Sequence, residues 1–250
     1  MMSRAMMLTG ASSGIGKAVA LEMAGRGYRL GLTARRIELL EALRDEILAR
    51  YPDTLIAVRA LDVNQYEDIG PVLRDLAEEL SGLDIVFANA GIGLGGRIGA
   101  SDFSNARRTI ETNVIGAMAT LDAAVAYFRE RGQGHVVGTS SVAAFRGMPG
   151  NAAYSASKAA LATYMDALRS ENYHRNIDVT VLYPGFIDTP INDMLTSRPF
   201  LITAEKGARI IADRIEQKAK SAVVPAFPWV LARPLLKWIP TRWMAGSGMR

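Results

Sequence analysis

The stretch Ala5-Met6-Met7-Leu8-Thr9-Gly10-Ala11-Ser12-Ser13-Gly14-Ile15-Gly16 decides the fold. Its first five residues form an apolar run bounded by glycine, which is typical of a buried parallel strand. The glycines have the spacing G-x-x-x-G-x-G, and an apolar-periodic helix continues to about Gly25–Gly27. Strand, glycine-rich turn and helix is a context in which backbone N–H groups and a helix N-terminus bind a pyrophosphate. A tight turn with a purely structural purpose is the alternative.

The second predicted strand runs from Arg29 to Ala34, and Arg35 and Arg36 follow it directly. In a dinucleotide-binding sheet, a carboxylate here accepts a hydrogen bond from the ribose 2′-hydroxyl of NAD, and no acidic residue stands at this position. A guanidinium pair suits a 2′-phosphate through charge-assisted, bidentate bonds. The sequence therefore favours NADP(H) over NAD(H), with Arg35 as the first candidate. Alternatively, the arginines only begin the exposed face of the next helix.

Strands and helices alternate along the chain, which predicts an α/β fold with a doubly wound parallel sheet of about seven strands flanked by helices. Ligands bind at the carboxyl ends of such strands. Two of these ends carry candidate contacts for a nucleotide, namely Asp62 with Val63 and the segment Asn89-Ala90-Gly91. Asp62 can accept a hydrogen bond from an adenine amino group. The alternative is that it caps the helix predicted near Glu67 to Leu80.

The segment Tyr154-Ser155-Ala156-Ser157-Lys158 lies near the start of a helix that the apolar spacing predicts from about Ala152 to Tyr173. Because Tyr154 and Lys158 are four residues apart, their side chains leave the same face of the helix. A neighbouring cation lowers the pKa of a tyrosine from its usual value of about 10. Such a phenol can donate a proton to a carbonyl oxygen or accept one from an alcohol. The alternative is a half-buried ring beside a lysine that reaches solvent.

Two further polar residues are candidates to join this pair. Ser141 follows the strand that begins at His135, and it suits the positioning of a substrate oxygen rather than nucleophilic attack, because no G-x-S-x-G motif surrounds it. Ser140 is its competitor. Asn113 interrupts the apolar pattern of a helix predicted from Ala106 to Glu130, which favours a bent or π-bulged turn with an exposed carbonyl that could hold a water. An ordinary exposed helix position is the alternative for Asn113.

The 250 residues are 49% apolar, which suffices for one large core, and we expect a single domain over residues 1–250. Cysteine is absent, so no disulfide or thiolate chemistry is expected. We expect neither a signal peptide nor a spanning helix, and a cytoplasmic location. The net charge of +4 includes no long basic run, which argues against nucleic acid as a partner. His135 and His174 lack metal-ligand spacing, so no metal is expected and both are predicted at the surface or a strand edge.

Two C-terminal segments are predicted to contact a substrate or a partner. The region of about 186–204 is long enough to form a lid over a ligand. The tail of about 222–250 has no acidic residue and contains all three tryptophans. Its prolines exclude one long helix and predict short amphipathic turns. The tail covers an apolar substrate pocket, contacts a neighbouring subunit, or rests on a membrane surface as a peripheral contact.

In order and spacing, these motifs resemble those of the short-chain dehydrogenase/reductases in their single-domain form of about 250 residues. The resemblance runs from residue 5 to about 190 and rests on Thr9-Gly10-x-x-x-Gly14-x-Gly16, Asp62, Asn89-Ala90-Gly91, Asn113, Ser141, Tyr154-x-x-x-Lys158 and Pro184-Gly185 with Thr189. Ala88 departs from the pattern, since many members carry a second Asn there. The resemblance implies a Rossmann-type fold, an NAD(P)-dependent oxidoreductase acting on a carbonyl or secondary alcohol, and a homodimer or homotetramer packed through the helices at 106–130 and 152–173.

The resemblance also implies a role for each candidate residue. Tyr154 would be the general acid/base, and Lys158 would lower its pKa and bind the nicotinamide ribose. Ser141 would hold the substrate oxygen, and Asn113 a water that relays protons. The implied cofactor contacts are Gly10, Ser12, Ser13, Gly14, Ile15, Gly16, Arg35, Arg36, Asp62, Val63, Asn89, Ala90, Gly91, Tyr154, Lys158, Pro184, Gly185, Ile187 and Thr189.

Apolar residues in the loop and the tail point to a lipophilic small-molecule substrate. Those of the loop are Phe186, Met194, Leu195 and Phe200. The alternative function is that of a regulatory or membrane-peripheral protein that binds the cofactor without turnover.

Overall fold

The computed structural model describes residues 3–192 and 197–242. Seven parallel strands form one sheet in the order β3-β2-β1-β4-β5-β6-β7. The strands are β1 Ala5–Thr9, β2 Arg29–Ala34, β3 Ile56–Ala60, β4 Ile85–Ala88, β5 Gly134–Thr139, β6 Ile177–Pro184 and β7 Ser221–Val224. The strand order reverses between β1 and β4, and ligands of such sheets bind outside the carboxyl ends at this point. The predicted Rossmann-type, doubly wound sheet is confirmed.

Helices cover both faces of this sheet. They are α1 Gly14–Gly25, α2 Ile37–Arg50, α3 Tyr66–Glu79, α4 Phe103–Ile110, α5 Ala117–Arg131, α6 Ala152–Glu171, α7 Ala204–Glu216 and α8 Trp229–Trp238. One apolar layer packs α1, α2 and α7 against the sheet, and the opposite layer packs α3, α5 and α6. Because both faces are covered, the central strands read as continuous apolar runs, and β1 is buried along its whole length. None of the helices in the described ranges combines the length and apolarity needed to cross a membrane.

A π-helical segment, Glu111–Gly116, joins α4 to α5. This confirms the bulged turn predicted within the long helix. The helix begins three residues earlier than predicted, because the Asp102 carboxylate caps it by accepting a hydrogen bond from the Ser104 N–H at 2.8 Å. Gly116 ends the π segment directly against Val63, and a Cβ there would come within 2.8 Å of the Val63 carbonyl oxygen. The π segment is therefore packed against the end of β3.

The C-terminal tail differs from its prediction. Instead of short turns, residues 229–238 form the ten-residue helix α8, which contains Pro234. A proline removes one backbone donor from a helix, and α8 continues past it. Part of the tail, from residue 243 onward, lies outside the described residues, as do residues 193–196 of the predicted lid, including Met194 and Leu195.

His135 is also placed differently from its prediction. It is buried within β5, and its Nε2 lies 2.8 Å from the Thr180 hydroxyl on β6. A strand between two neighbours has no free edge, so His135 fills an interior position, and burial lowers its pKa to about 4. His174 is exposed, as predicted.

Glycines in the strands set how closely the helices approach the sheet. A Cβ on Gly134 of β5 would overlap the ring of Phe128 on α5, and one on Gly138 would overlap the Met165 side chain on α6. The second contact matters for the site, because it fixes α6 close to the carboxyl end of β5. Lys158 lies on α6 and Ser141 follows β5, so this spacing governs their separation.

We expect Gly134→Ala to lower the free energy of unfolding by about 1–3 kcal/mol, because the buried Phe128 ring has no room to move aside. Urea denaturation monitored by circular dichroism measures the change. The matched control is Gly147→Ala, at a loop position where a Cβ meets no atom within 4 Å, and it should stay within about 0.5 kcal/mol of wild type. Equal stability of the two variants would contradict this packing argument.

Candidate active site

The glycine-rich turn between β1 and α1 has the geometry of an anion cradle. Gly10 and Gly14 have φ values of +68° and +57°, which favour glycine. A Cβ on Gly16 would overlap the Gly10 carbonyl oxygen, so the turn closes onto α1 only without a side chain there. Ser13 precedes α1 without a side-chain cap and no acidic residue lies in the first turn, whereas Thr203 caps α7. The first N–H groups of α1 thus fit a pyrophosphate.

The ends of β1, β4 and β5 are tied together by Asn89. Its Nδ2 donates to the Thr9 carbonyl at 3.1 Å, and its Oδ1 accepts a hydrogen bond from the Thr139 hydroxyl at 3.2 Å. The Thr9 hydroxyl oxygen in turn accepts from the Asn89 and Ala90 N–H groups, each at 3.1 Å. Because the protein itself occupies the Asn89 amide, the predicted nucleotide contacts of this segment fall to the backbone of Asn89, Ala90 and Gly91. Sequence reasoning included Thr9 in the glycine motif without giving it a role, and it missed Thr139. Each is a threonine at the end of an otherwise apolar strand, which is the signal that could have found them.

Asp62 and Val63 follow β3, as expected of a nucleotide contact. Asp62 Oδ1 accepts a hydrogen bond from the Asn64 N–H at 3.1 Å, which forms an Asx-type turn. The N-cap of α3 is Gln65, so the alternative that Asp62 caps this helix is wrong. Val63 is buried against the π segment.

The two arginines that follow β2 are exposed. Arg36 Nη2 donates to the Ser12 hydroxyl at 3.3 Å, which brings one guanidinium onto the glycine-rich turn. The sequence favoured Arg35 as the first candidate, but it is Arg36 that this hydrogen bond joins to the glycine-rich turn. Arg35 precedes it at the end of β2.

Ser141 and Tyr154 meet at the carboxyl ends of β5 and β6. The Ser141 hydroxyl donates to the Pro184 carbonyl at 3.3 Å and accepts from the Ala143 N–H at 3.1 Å. Burial raises the pKa of the Tyr154 phenol, and a hydrogen bond with the Ser141 side chain lowers it. The competitor Ser140 donates instead to the Lys158 carbonyl at 2.7 Å, which is a structural contact within the core. Ser141 is therefore the serine that reaches the phenol.

Lys158 is 3% exposed, so the alternative of a solvent-reaching lysine is wrong. Its Nζ donates to the Thr139 carbonyl at 2.8 Å and lies 5.6 Å from the centroid of the Tyr154 ring. Burial lowers the pKa of Lys158 to about 8. The prediction that Lys158 lowers the pKa of Tyr154 is wrong, because the pKa of this phenol is raised. Desolvation has the larger effect on the phenol, and the ammonium is bound to Thr139.

Asn113 is fully buried, so the alternative of an exposed helix position is wrong. Its Oδ1 accepts from the Ile92 N–H and its Nδ2 donates to the Ile92 carbonyl, both at 2.8 Å. Nδ2 also donates to Ser157 Oγ at 3.1 Å, and that hydroxyl donates to the Tyr154 carbonyl at 2.7 Å. Sequence reasoning missed Ser157. A Cβ on Gly91 would lie 3.2 Å from Asn113 Oδ1 and 3.3 Å from Lys158 Nζ, so these three residues converge.

The segment after β6 closes the site from the other side. Thr189 lies against Gly14, since a Cβ on that glycine would be 3.5 Å from Thr189 Cβ. Ile187 is buried, and Thr189 Oγ1 donates to its carbonyl at 3.1 Å. Ile187 also forms a parallel β-bridge with Ile202, which joins the two ends of the predicted lid. The structure thus brings the segment from Pro184 to Thr189 between the glycine-rich turn and Ser141.

This arrangement is that of a known enzyme class. The family model described as short chain dehydrogenase matches residues 4–199, and the chain belongs to this family and is an oxidoreductase. An uncharacterized oxidoreductase of Mycobacterium tuberculosis is 40% identical over 237 residues, 94% of each chain. The NADP-dependent 3-hydroxy acid dehydrogenase of Schizosaccharomyces pombe is 32% identical over 188 residues, 74% of this chain and 72% of that protein.

Solved structures show the same fold. The alcohol dehydrogenase of the archaeon Thermococcus sibiricus, complexed with 5-hydroxy-NADP, superposes with a TM-score of 0.80 at 25% identity and covers 89% of this chain and 96% of that one. A short chain dehydrogenase/reductase of Burkholderia phymatum in complex with NAD has a TM-score of 0.84 at 21% identity and covers 96% and 95%.

The buried ammonium makes stability depend on pH. Since burial lowers the pKa of Lys158 from its usual 10.5 to about 8, the folded protein holds this proton less tightly than the unfolded chain. The charge therefore costs stability below pH 8, and the cost disappears as pH rises through the window from 8 to 10.5. We expect the unfolding free energy of wild type to rise relative to Lys158→Met there, by up to about 1.4 kcal/mol per pH unit.

Urea titrations of wild type and Lys158→Met near pH 7 and near pH 9.5 test this expectation. Lys206→Met, which removes an exposed lysine of α7, is the matched control for the loss of one lysine. A stability difference between wild type and Lys158→Met that is the same at both pH values would refute the argument.

Proposed function

We propose that this oxidoreductase uses NADP(H) to interconvert a carbonyl and a secondary alcohol on a lipophilic small molecule, within a single domain spanning the chain. The observation that supports it most is the contact of Ser141 with Tyr154, beside the buried Lys158, at the edge of the sheet where the glycine-rich turn lies. When bound, the cofactor supplies or accepts a hydride at the substrate carbon.

In the proposed site, Tyr154 donates a proton to the carbonyl oxygen in reduction and accepts it from the alcohol in oxidation. Ser141 donates a hydrogen bond to the same oxygen and so fixes it next to the phenol. Burial of Tyr154 favours the protonated phenol, which suits the reductive direction. In the structure the Ser141 hydroxyl donates its one proton to the Pro184 carbonyl, so the substrate oxygen replaces that carbonyl as the acceptor.

Lys158 has two proposed tasks. Its ammonium binds the nicotinamide ribose, and its charge favours the phenolate during proton transfer. Asn113 holds the π segment open through its bonds to Ile92, so that a backbone carbonyl of Glu111–Gly116 carries the water of a proton relay. Each of these side chains acts from a buried position, where electrostatic effects are stronger than in water.

Further contacts of the proposed cofactor follow from the turn and the adjacent segments. The N–H groups at the start of α1 bind the pyrophosphate, and Ser12 and Arg36 bind the 2′-phosphate. Asp62 and Val63 hold the adenine, and the segment from Pro184 to Thr189 holds the nicotinamide. The relatives whose names specify NADP support this choice, although one structural neighbour is a complex with NAD.

A lipophilic substrate is favoured by the aromatic side chains beside Pro184. The ring of Phe186 packs against Trp229 with a centroid separation of 5.9 Å, and Phe200 packs edge-on against the same indole at 6.1 Å. Phe200 and Leu201, which belong to the predicted lid, are exposed. Apolar surface at the mouth of a site favours an apolar ligand.

Assembly into a homodimer or homotetramer is part of the proposal. Ile115 of the π segment is 42% exposed, within the helix at 106–130 that the resemblance places at a subunit contact, and Phe103, three residues before that range, is 78% exposed. These apolar side chains are therefore available for a subunit contact, and contiguous exposed apolar patches mark such surfaces. We also propose a cytoplasmic location. The competing function, a cofactor-binding protein without turnover, would lack the activity tested below, and its membrane-peripheral form would sediment with anionic liposomes.

We expect Tyr154→Phe to lower kcat about 10²- to 10⁴-fold, because only the proton donor is removed. NADPH oxidation with a panel of ketones, 3-oxoacyl thioesters and sterols measures the change, while NADPH binding should persist. Tyr164→Phe, on the same helix and half-buried, is the matched control and should retain activity. Full turnover by Tyr154→Phe would rule out the proposed acid/base role.

Arg36→Ala should raise the Kd for NADPH about tenfold or more and change the Kd for NADH less than about twofold, because only NADPH carries the 2′-phosphate. Calorimetric titration of both cofactors measures this, and Arg35→Ala in the same assay ranks the two arginines. Arg44→Ala, at a half-exposed position of α2, controls for loss of one positive charge. Equal losses for NADPH and NADH would argue against a 2′-phosphate contact.

A further inference from the structure

Helix α8 lies across the substrate side of the site. Near its start, the indole of Trp229 packs on Gly185, the residue that follows β6, and a Cβ on Gly185 would overlap Trp229 Nε1. Just past its end, the carbonyl of Ile239 accepts a hydrogen bond from Arg146 at 3.2 Å. Arg146 follows the short 3₁₀ turn that Ser141 caps. The helix is therefore anchored on both segments that flank the Ser141 hydroxyl.

The indole N–H of Trp229 has an unusual environment. Three buried side-chain polar atoms in the described ranges lack a hydrogen-bond partner, and they belong to Asn64, Arg169 and Trp229. Asn64 and Arg169 each make hydrogen bonds through other atoms of the same side chain. The Trp229 side chain has only this one polar atom, so it makes no hydrogen bond at all.

An unpaired buried donor costs about 1–3 kcal/mol, so it calls for an explanation. Simple packing would be served as well by phenylalanine, which brings no donor to satisfy. The indole nitrogen lies against Gly185, next to Pro184, whose carbonyl accepts the Ser141 hydrogen bond. The aromatic rings of Phe186 and Phe200 flank the indole. The donor thus lies between an apolar wall and the proposed reaction centre.

We propose that Trp229 Nε1–H donates a hydrogen bond to a second acceptor on the substrate, such as an ester, thioester or amide carbonyl, while Phe186 and Phe200 contact its apolar part. The inference rests on the proposed function, since it places the reacting carbonyl at Ser141 and Tyr154. An acceptor lying along Gly185 meets the N–H once the indole shifts off the glycine. Trp229 is then a specificity-determining residue that distinguishes functionalised carbonyl compounds from plain ketones.

The test compares two kinds of substrate in three proteins, namely wild type, Trp229→Phe and Trp238→Phe. The substrates are ethyl esters of oxo acids, with the oxo group at successive positions, and the plain ketone of the same length. For the ester that binds best, Trp229→Phe should raise KM about tenfold with little change in kcat, because one hydrogen bond is lost and the ring is kept. The KM for the plain ketone should change less than about twofold. Trp238→Phe, at an 84% exposed position of the same helix, should change neither value.

The outcomes separate the two proposals. Equal KM changes for ester and ketone in Trp229→Phe, or no change for either, would overturn the role of Trp229 while leaving the oxidoreductase function intact. If wild type oxidises NADPH with neither substrate, the proposed reaction fails, and calorimetric binding of the ester to wild type and Trp229→Phe still decides the hydrogen bond. If Trp229→Phe does not fold, a wild-type KM for every ester no lower than that for the ketone would overturn it.

Discussion

The site depends on one buried interaction, the hydrogen bond from the Lys158 ammonium to the Thr139 carbonyl at 2.8 Å. A charge in the core is costly unless a polar partner meets it, and here the partner is a backbone group at the end of a central strand. This bond fixes α6 over β5, and Gly138, which lies opposite Met165, allows the helix to approach the strand closely. The position of the Tyr154 phenol relative to Ser141 follows from that spacing.

Much of the fold could be predicted because the local signals agreed with the tertiary structure. The apolar run before Gly10, the glycine spacing and the alternation of elements led to the correct sheet, since parallel strands buried on both faces must be continuously apolar. The polar Asn113 within an apolar helix correctly indicated a bulge. Asn113 is a poor helix former, and it stands where the backbone leaves the regular α-helical geometry.

Other features could not be predicted, because they arise only when distant segments meet. The bonds between Thr9 and Asn89 span eighty residues, and the bond between Asn113 and Ser157 joins two helices. The effect of burial on Tyr154 depends on how much of the phenol the neighbouring segments cover, which residue spacing does not reveal. For the same reason the four-residue spacing predicted a lower pKa of Tyr154, whereas desolvation raises it.

The two halves of the site differ in how they are built, and this explains what the motifs reveal. The half that we propose to hold the nucleotide is formed mainly by backbone groups, at the glycine-rich turn and at Asn89 to Gly91, so a few small residues define it and a sequence pattern can identify it. The other half takes its walls from side chains of the segment after β6 and of α8, such as Phe186 and Trp229. Such side chains can change without disturbing the sheet, because neither Phe186 nor Trp229 belongs to its two main apolar layers. Short motifs therefore reveal the class of reaction, whereas we expect the choice of substrate to depend on contacts that form only in the folded chain.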